Sequence, residues 1–161
     1  MNRALCANTG LLTAMKRTPV FEEHQLAGAR FVEFTGWEMP VLYSSVIDEH
    51  RHVREHVGLF DVSHMGEVQF RGPQALEAAN RLITNDLTAL EDGQAAYSPM
   101  CFPDGGIVDD VIAYRFSAEH VMFCVNASNV AKDFAWMREN SVDYECSVED
   151  DSATWAQIAV Q

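Results

Sequence analysis

Pro103-Asp104-Gly105-Gly106-Ile107-Val108-Asp109-Asp110-Val111-Ile112-Ala113-Tyr114-Arg115-Phe116 reads as a tight turn feeding a long strand that carries two adjacent carboxylates. Side chains alternate faces along a strand. Asp110 therefore shares a face with Val108, Ile112, Tyr114 and Phe116, and Asp109 shares the other with Ile107, Val111, Ala113 and Arg115. Arg115 offers Asp109 an ion partner, whereas Asp110 stands on an apolar and aromatic face with no cation in its own strand. An ionised group buried without a partner costs several kcal/mol or shifts its pKa upward. Asp110 is thus expected to meet a ligand, a water or a distant donor; the alternative is an Asp satisfied by backbone donors at a sheet edge.

Outward from this strand the pattern alternates strands with helices. Residues 67–70 form a short strand, and Gly72-Pro73 opens a helix with Leu76, Ala79, Leu82 and Ile83 inward. Residues 95–102 and 107–116 form strands around the Pro103–Gly106 turn, and residues 120–126 add another. Ser128 or Asn129 caps a helix with Val130, Phe134 and Met137 on one face, and residues 142–148 close the series. The order β-α-β-β-β-α-β with short links predicts an α+β fold of antiparallel sheets with flanking helices, ferredoxin-like, and disfavours a doubly wound parallel sheet. Upstream, Thr18-Pro19 caps a helix that Gly28 stops. Residues 31–40 make an aromatic strand-and-loop segment. Ser45 with Asp48 starts a second helix whose Val46, Val53 and Val57 face the core and which Gly58 ends. Residues 154–160 read as a further apolar strand that lacks neighbours, so the chain is expected to stop inside a domain and to self-associate through the uncovered surface.

Composition limits the function classes. With 24 acidic against 11 basic residues the formal charge is −13, which opposes nucleic acid and anionic membranes as partners. No apolar run is long enough to span a bilayer. Cys6, Cys101, Cys124 and Cys146 show neither zinc nor redox spacing, so a reducing compartment is the simpler reading. Residues 1–15 read as an N-terminal tail, faintly like a transit peptide, with Met15 as an alternative start. His52 and His56 have helical i, i+4 spacing, but the charges around them indicate a solvated face, and no metal is expected. Gly105-Gly106 lacks both GxGxxG and the P-loop Lys, which leaves the hairpin reading. Cys101 and Cys124 in apolar strands read as core residues.

Taken together, Lys16-Arg17-Thr18-Pro19, Phe34-Thr35-Gly36-Trp37-Glu38-Met39-Pro40, Val57-Gly58-Leu59-Phe60-Asp61-Val62-Ser63-His64-Met65-Gly66-Glu67, Thr84-Asn85-Asp86, Asp104-Gly105-Gly106-Ile107-Val108-Asp109-Asp110 and Val125-Asn126-Ala127-Ser128-Asn129 resemble the T-protein family, the aminomethyltransferases of the glycine cleavage system. The resemblance implies a split folate-binding domain beginning at residues 16–62, an inserted α+β domain at 63–149 and the return into the split domain at 150–161. A third domain would be absent. It further implies transfer of a one-carbon unit from the aminomethylated lipoyl arm of the H-protein to tetrahydrofolate, with release of ammonia and no metal. Asp110 matches the family carboxylate beside the folate amines. Met65 and Tyr97 match positions that pack on the folate, and Cys124 and Asn126 match contacts on the neighbouring strand. The acidic group and arginines that the family uses in its later half have no counterpart here. A non-catalytic folate-binding or assembly module that retains the fold is therefore the second function class. The implied location is the bacterial cytoplasm, or the mitochondrial matrix for a eukaryotic source.

Overall fold

Thr35 and Gly36, at φ 52° and 84°, close a tight hairpin between β1 (Arg30–Phe34) and β2 (Trp37–Leu42), because both centre positions of such a turn need left-handed backbone. The computed structural model describes residues 15–161. The tail reading for residues 1–15, and Cys6, lie outside the described residues apart from Met15. Before the hairpin, α1 (Phe21–Leu26) ends at Gly28, φ 78°, as expected. It starts later than Thr18-Pro19 predicts: the Thr18 carbonyl accepts from Phe21 N in a turn, and Val20 holds the N-cap position. After the hairpin, α2 (Val46–Glu55) is capped by Ser45, whose Oγ accepts from Asp48 N and donates to Asp48 Oδ2. The expected inward face of this helix is corrected. It has no fully buried residue: Val53 is half-buried, while Val46 and Val57 are exposed, since this side borders an open cavity shared with Pro40, Val41, Leu59 and Phe60.

Past β3 (Leu59–Asp61), β4 (Gly66–Arg71) leads to α3 (Ala75–Leu82), then β5 (Ala95–Cys101), β6 (Ile107–Ser117) and β7 (His120–Val125). The series closes with α4 (Val130–Glu139) and β8 (Ser147–Asp150). Strands β5-β6-β7-β4-β8 form one five-stranded sheet in which every neighbouring pair is antiparallel. β4 and β6 therefore run parallel with β7 between them, the split arrangement of a ferredoxin-like fold, with β5 added at the edge. On one face Val68, Phe70, Val111, Ala113, Val121, Phe123 and Val125 pack against Ala75, Ala78, Ala79 and Leu82 of α3 and Met137 of α4. Three alanines let α3 lie close to the sheet, and the Phe70 and Phe123 rings meet edge-on at 5.3 Å.

Strict alternation along β6 is interrupted at two points, between Arg115 and Ser117 opposite β7 and, closer to the aspartates, opposite β5. Met100 pairs with Asp109 but Cys101 pairs with Ile107, so Val108 is the extra residue of a bulge and joins the helix-side core instead of sharing Asp110's face. The 142–148 strand is displaced as well: residues 142–146 turn, and β8 starts at Ser147, opposite Arg71 at the end of β4, and runs on to Asp150. The final strand β9 (Ile158–Val160) is shorter than predicted, and it is not alone. It pairs antiparallel with β3, and Gly58 and Gln161 extend the ladder through two 3.0 Å bonds. Ile158 and Val160 remain exposed on this ribbon, as do Leu59 and Phe60 beside them and Val32, Phe34, Val41 and Tyr43 of the 31–43 segment.

Gly72 sits at φ 135°, where a Cβ would lie 2.7 Å from the Glu145 carbonyl oxygen and 2.9 Å from Cys146 Cα. Backbone, not a flexible side chain, blocks the space. Gly72→Ala is expected to destabilise the chain by about 2 kcal/mol or more, read as a lowered urea midpoint at unchanged slope.

Candidate functional site

The two aspartates of β6 part company in three dimensions, and the outcome reverses the burial expectation. Asp109 is buried at 7% exposure, whereas Asp110 is exposed, on the face away from the helices. On the edge strand, Tyr97 pairs with Ile112, two residues along from Asp110 and on the same face. Its hydroxyl donates to Asp110 Oδ2 at 2.8 Å. That hydrogen bond and the Asp110 charge hold the Tyr97 pKa above its ordinary value, so Tyr97 stays a protonated donor. Asp110 thus finds its distant donor one strand away.

Asp109 does not pair with Arg115. The Arg115 guanidinium instead takes Asp92 at 2.9 Å and the carbonyls of Leu90 and Thr88, which ties β6 to the loop after α3. Asp109 Oδ1 accepts from Asp110 N at 3.0 Å and Asn126 Nδ2 at 3.1 Å, and Oδ2 accepts from Asn129 Nδ2 at 2.9 Å. Burial pushes the Asp109 pKa up, but the neighbouring Asp133 and the amides of Asn129 and Asn126 outweigh that and hold it low. Asn129 occupies the N-cap position of α4 as expected, yet its amide serves Asp109 and makes no cap hydrogen bond. The Asn126 amide also lies 3.1 Å from the Asp110 carbonyl oxygen and 3.4 Å from its Oδ1. One side chain therefore joins the buried and the exposed carboxylate.

Cys124 pairs with Ile112 on one side and Glu67 on the other, which puts it on the Asp110 face of the sheet. It is buried, and its thiol lies 3.4 Å from Gln157 Oε1 with its pKa raised by burial, so it is a neutral donor. Met65 stands half-buried at the entry to β4, next to Gly66, which pairs with Val125. Tyr97, Asp110 and Asn126 form one hydrogen-bonded group; Cys124, on the same face, and Met65, at the entry to β4, make no bond to Asp110. Glu67 was not singled out by the motifs, although alternation between apolar neighbours marks it. It is 1% exposed, with no hydrogen-bond partner for either carboxylate oxygen among the described residues. Burial and the nearby Asp150 push its pKa up to about 7.

Cavities also lie elsewhere among the described residues. One of about 660 Å³ is bounded by Thr84, Phe102 and Trp136. Another, about 640 Å³, lies beside a relay in which His24 stands 2.7 Å from Tyr43 Oη and 2.9 Å from Asp61 Oδ2. Asp61 also accepts from Ser63 N at 3.0 Å, and its hydrogen bonds outweigh burial to hold its pKa low. This relay fastens α1 and β2 to β3. His52 and His56 meet edge-on at 4.8 Å on an exposed stretch of chain.

The family described as GCVT N-terminal domain matches residues 20–161. The aminomethyltransferase of Desulfitobacterium hafniense (strain DSM 10664 / DCB-2) is 51% identical over 150 residues, covering 93% of this chain and 41% of that protein. The aminomethyltransferase of Thermotoga maritima is 48% identical over 147 residues, with 91% and 40% covered. The crystal structure of glycine cleavage system aminomethyltransferase T from Bartonella henselae superposes with a TM-score of 0.84 at 37% identity, covering 91% of this chain and 40% of that one. The chain thus spans about two fifths of the length of the curated relatives it matches.

Burial assigns the aspartates opposite sensitivities. Asp109→Asn turns one accepting oxygen toward donors and is expected to cost about 1–3 kcal/mol of stability, whereas Asp110→Asn leaves the urea midpoint nearly unchanged. Glu67 gives a pH signature. Its folded pKa of about 7 lies above the ordinary 4.5, so the folded state holds a proton that the unfolded state has lost. Stability should fall as pH rises from about 4.5 to 7 and then level off. Asp133, raised from 3.8 to about 7, adds a fall of the same sign, so Glu67→Gln is expected to remove only the Glu67 share and to raise stability at pH 8 by about 1–3 kcal/mol, read from urea midpoints across pH.

Proposed function

The chain belongs to the GCVT N-terminal domain family, and from that membership together with the Tyr97–Asp110–Asn126 group we propose that it carries the carboxylate half of a folate-dependent aminomethyl-transfer site. The substrates are an aminomethyl group borne on the dihydrolipoyl arm of the H-protein and tetrahydrofolate. The products are methylenetetrahydrofolate and ammonia. Residues 16–62 and 150–161 belong to a split domain in this reading, and 63–149 to the domain inserted in it. The β3–β9 pairing supports that division, since it brings residues from both flanks of the inserted sheet side by side.

The observation that carries the reading is the 2.8 Å bond from Tyr97 to an exposed Asp110. A carboxylate in this position can accept an N–H of the folate and accommodate positive charge as that nitrogen attacks the one-carbon unit. Tyr97 and Asn126 hold the carboxylate at two different oxygens, which limits its rotation and keeps it presented on the open face. In the same reading Met65 and Tyr97 supply apolar surface to the pterin and its linker, and Cys124 lines the strand beside them. The lipoylated H-protein is the macromolecular partner, and the bacterial cytoplasm is the place of action. The residues named here perform proton handling and orientation without a metal.

Titration calorimetry of the 161-residue chain with tetrahydrofolate is expected to show binding weaker than about 10 µM, because few groups offset the loss of ligand freedom. In a chain extended to the length of its Bartonella henselae counterpart, Asp110→Asn is expected to lower ammonia release from aminomethylated H-protein by roughly 10²-fold with folding intact. Turnover near the unsubstituted level would remove Asp110 from the chemistry. Binding of tetrahydrofolate without turnover in the extended chain would establish the binding-module alternative.

A further inference from the structure

Asp133 is fully buried in α4, and neither of its carboxylate oxygens accepts a hydrogen bond from a neutral donor among the described residues. It lies one helical turn after Asn129, to whose carbonyl its own N–H donates at 2.9 Å, so both side chains project from the same face of α4. Asn129 spends its amide on Asp109 Oδ2. The face that carries Asp133 is therefore the face that meets Asp109. The hydrogen bonds that the Asp109 carboxylate accepts come from N–H groups: Asp110 N, Asn126 and Asn129. Two ionised carboxylates packed together in such a place would repel, and one proton shared between them removes the repulsion.

The charged groups that bear on Asp133 are Asp109, from β6, and Lys132, from α4 itself. Lys132 Nζ lies 3.3 Å from Asp133 Oδ1 but also donates to the Val108 carbonyl, and its side chain is half exposed. It offers a partly solvated charge and leaves the buried side of Asp133 unserved. Burial, with the neighbouring Asp109 adding to it, pushes the Asp133 pKa up to about 7, while Asp109 is held low.

We infer that Asp133 is a positioning residue that acts as a neutral acid, keeping its proton and donating a hydrogen bond through it to Asp109, so that Asp109 stays an ionised acceptor and aims the Asn126 amide at Asp110. The hydrogen-bond order is Asp133 to Asp109, Asn126 to Asp109 and Asp110, and Tyr97 to Asp110. A proton deep in α4 thereby controls the geometry of an exposed carboxylate on the opposite face of the sheet. When Asp133 loses that proton to solvent at higher pH, the pair becomes two like charges, Asp109 shifts, and Asn126 loses its fixed partner. The consequence for ligand binding rests on the folate reading given above; the coupling itself does not.

The test is NMR of the intact 161-residue chain between pH 5 and pH 8.5. Asp carboxyl carbons are observed through 13C labelling and the Asn126 side-chain amide through 15N. The Asp133 carboxyl is expected to titrate near neutrality, and the Asn126 amide resonances should move with the same midpoint. Asp133→Asn, which keeps a donor toward Asp109, should hold the Asn126 amide at its low-pH position throughout, and Asp133→Leu should release it at every pH. If Asp133→Leu fails to fold, the unsubstituted chain and Asp133→Asn decide. An Asn126 amide that ignores pH in the unsubstituted chain, or one that still titrates in Asp133→Asn, overturns the coupling. A parallel titration with tetrahydrofolate should show affinity falling several-fold from pH 6 to pH 8 in the unsubstituted chain and staying level in Asp133→Asn. Absence of tetrahydrofolate binding at every pH, with the Asn126 coupling intact, would count against the folate reading alone. Binding whose affinity ignores pH in both chains would show that the coupling does not reach the ligand and would overturn the proposed control of Asp110.

Discussion

A strand with adjacent carboxylates must bury one of them as soon as either face of the sheet is covered, and a buried carboxylate must be hydrogen-bonded. In β6 that residue is Asp109. Meeting its demand takes an amide from the end of β7, an amide from the start of α4 and a backbone N–H of β6 itself. Those bonds fix where α4 begins and how the β7–α4 turn is drawn over the sheet. The exposed partner, Asp110, inherits a defined position without being buried.

This division separates the stabilising from the chemical role of the pair. Asp109 resides where solvent is excluded and its surroundings are all donors. Asp110 resides where solvent and ligand can reach it, held by Tyr97 and Asn126. A reactive carboxylate needs orientation more than burial, and the sheet supplies it through neighbouring strands. The bulge at Val108 serves the same end: it sends an apolar side chain into the helix-side core just before the aspartates and resets the alternation that sends Asp110 outward.

The N-terminal part is organised differently. Its α1 packs on the hairpin through Phe21 and Phe31, whose rings stand 4.7 Å apart, and is tied to β3 by the His24, Tyr43 and Asp61 relay, while α2 buries no residue. Polar fastening of this kind specifies relative placement with little apolar area. The β3–β9 ladder then links this part to the far end of the chain. The family's relatives are more than twice as long as this chain, and the exposed Leu59, Phe60, Ile158 and Val160 lie on the ribbon where the two ends meet.

Element order, the antiparallel class, the Pro103–Gly106 hairpin and the Ser45 cap were legible in the amino-acid sequence because each depends on local chemistry: alternation, turn residues and a side chain within three residues of its partner. The same alternation placed Asp109 and Asp110 on opposite faces, and the motif resemblance singled out Tyr97 and Asn126. Which face is buried was not legible. That depends on where α3 and α4 pack, and so tertiary structure alone made Asp109 the buried aspartate and left Asp110 open. It also sent Arg115 to Asp92 instead of Asp109, turned Asn129 from a cap into a carboxylate ligand, and gave β9 a partner almost a hundred residues away. Hydrogen-bond choice among several donors within reach is decided by distances that only the packed chain defines.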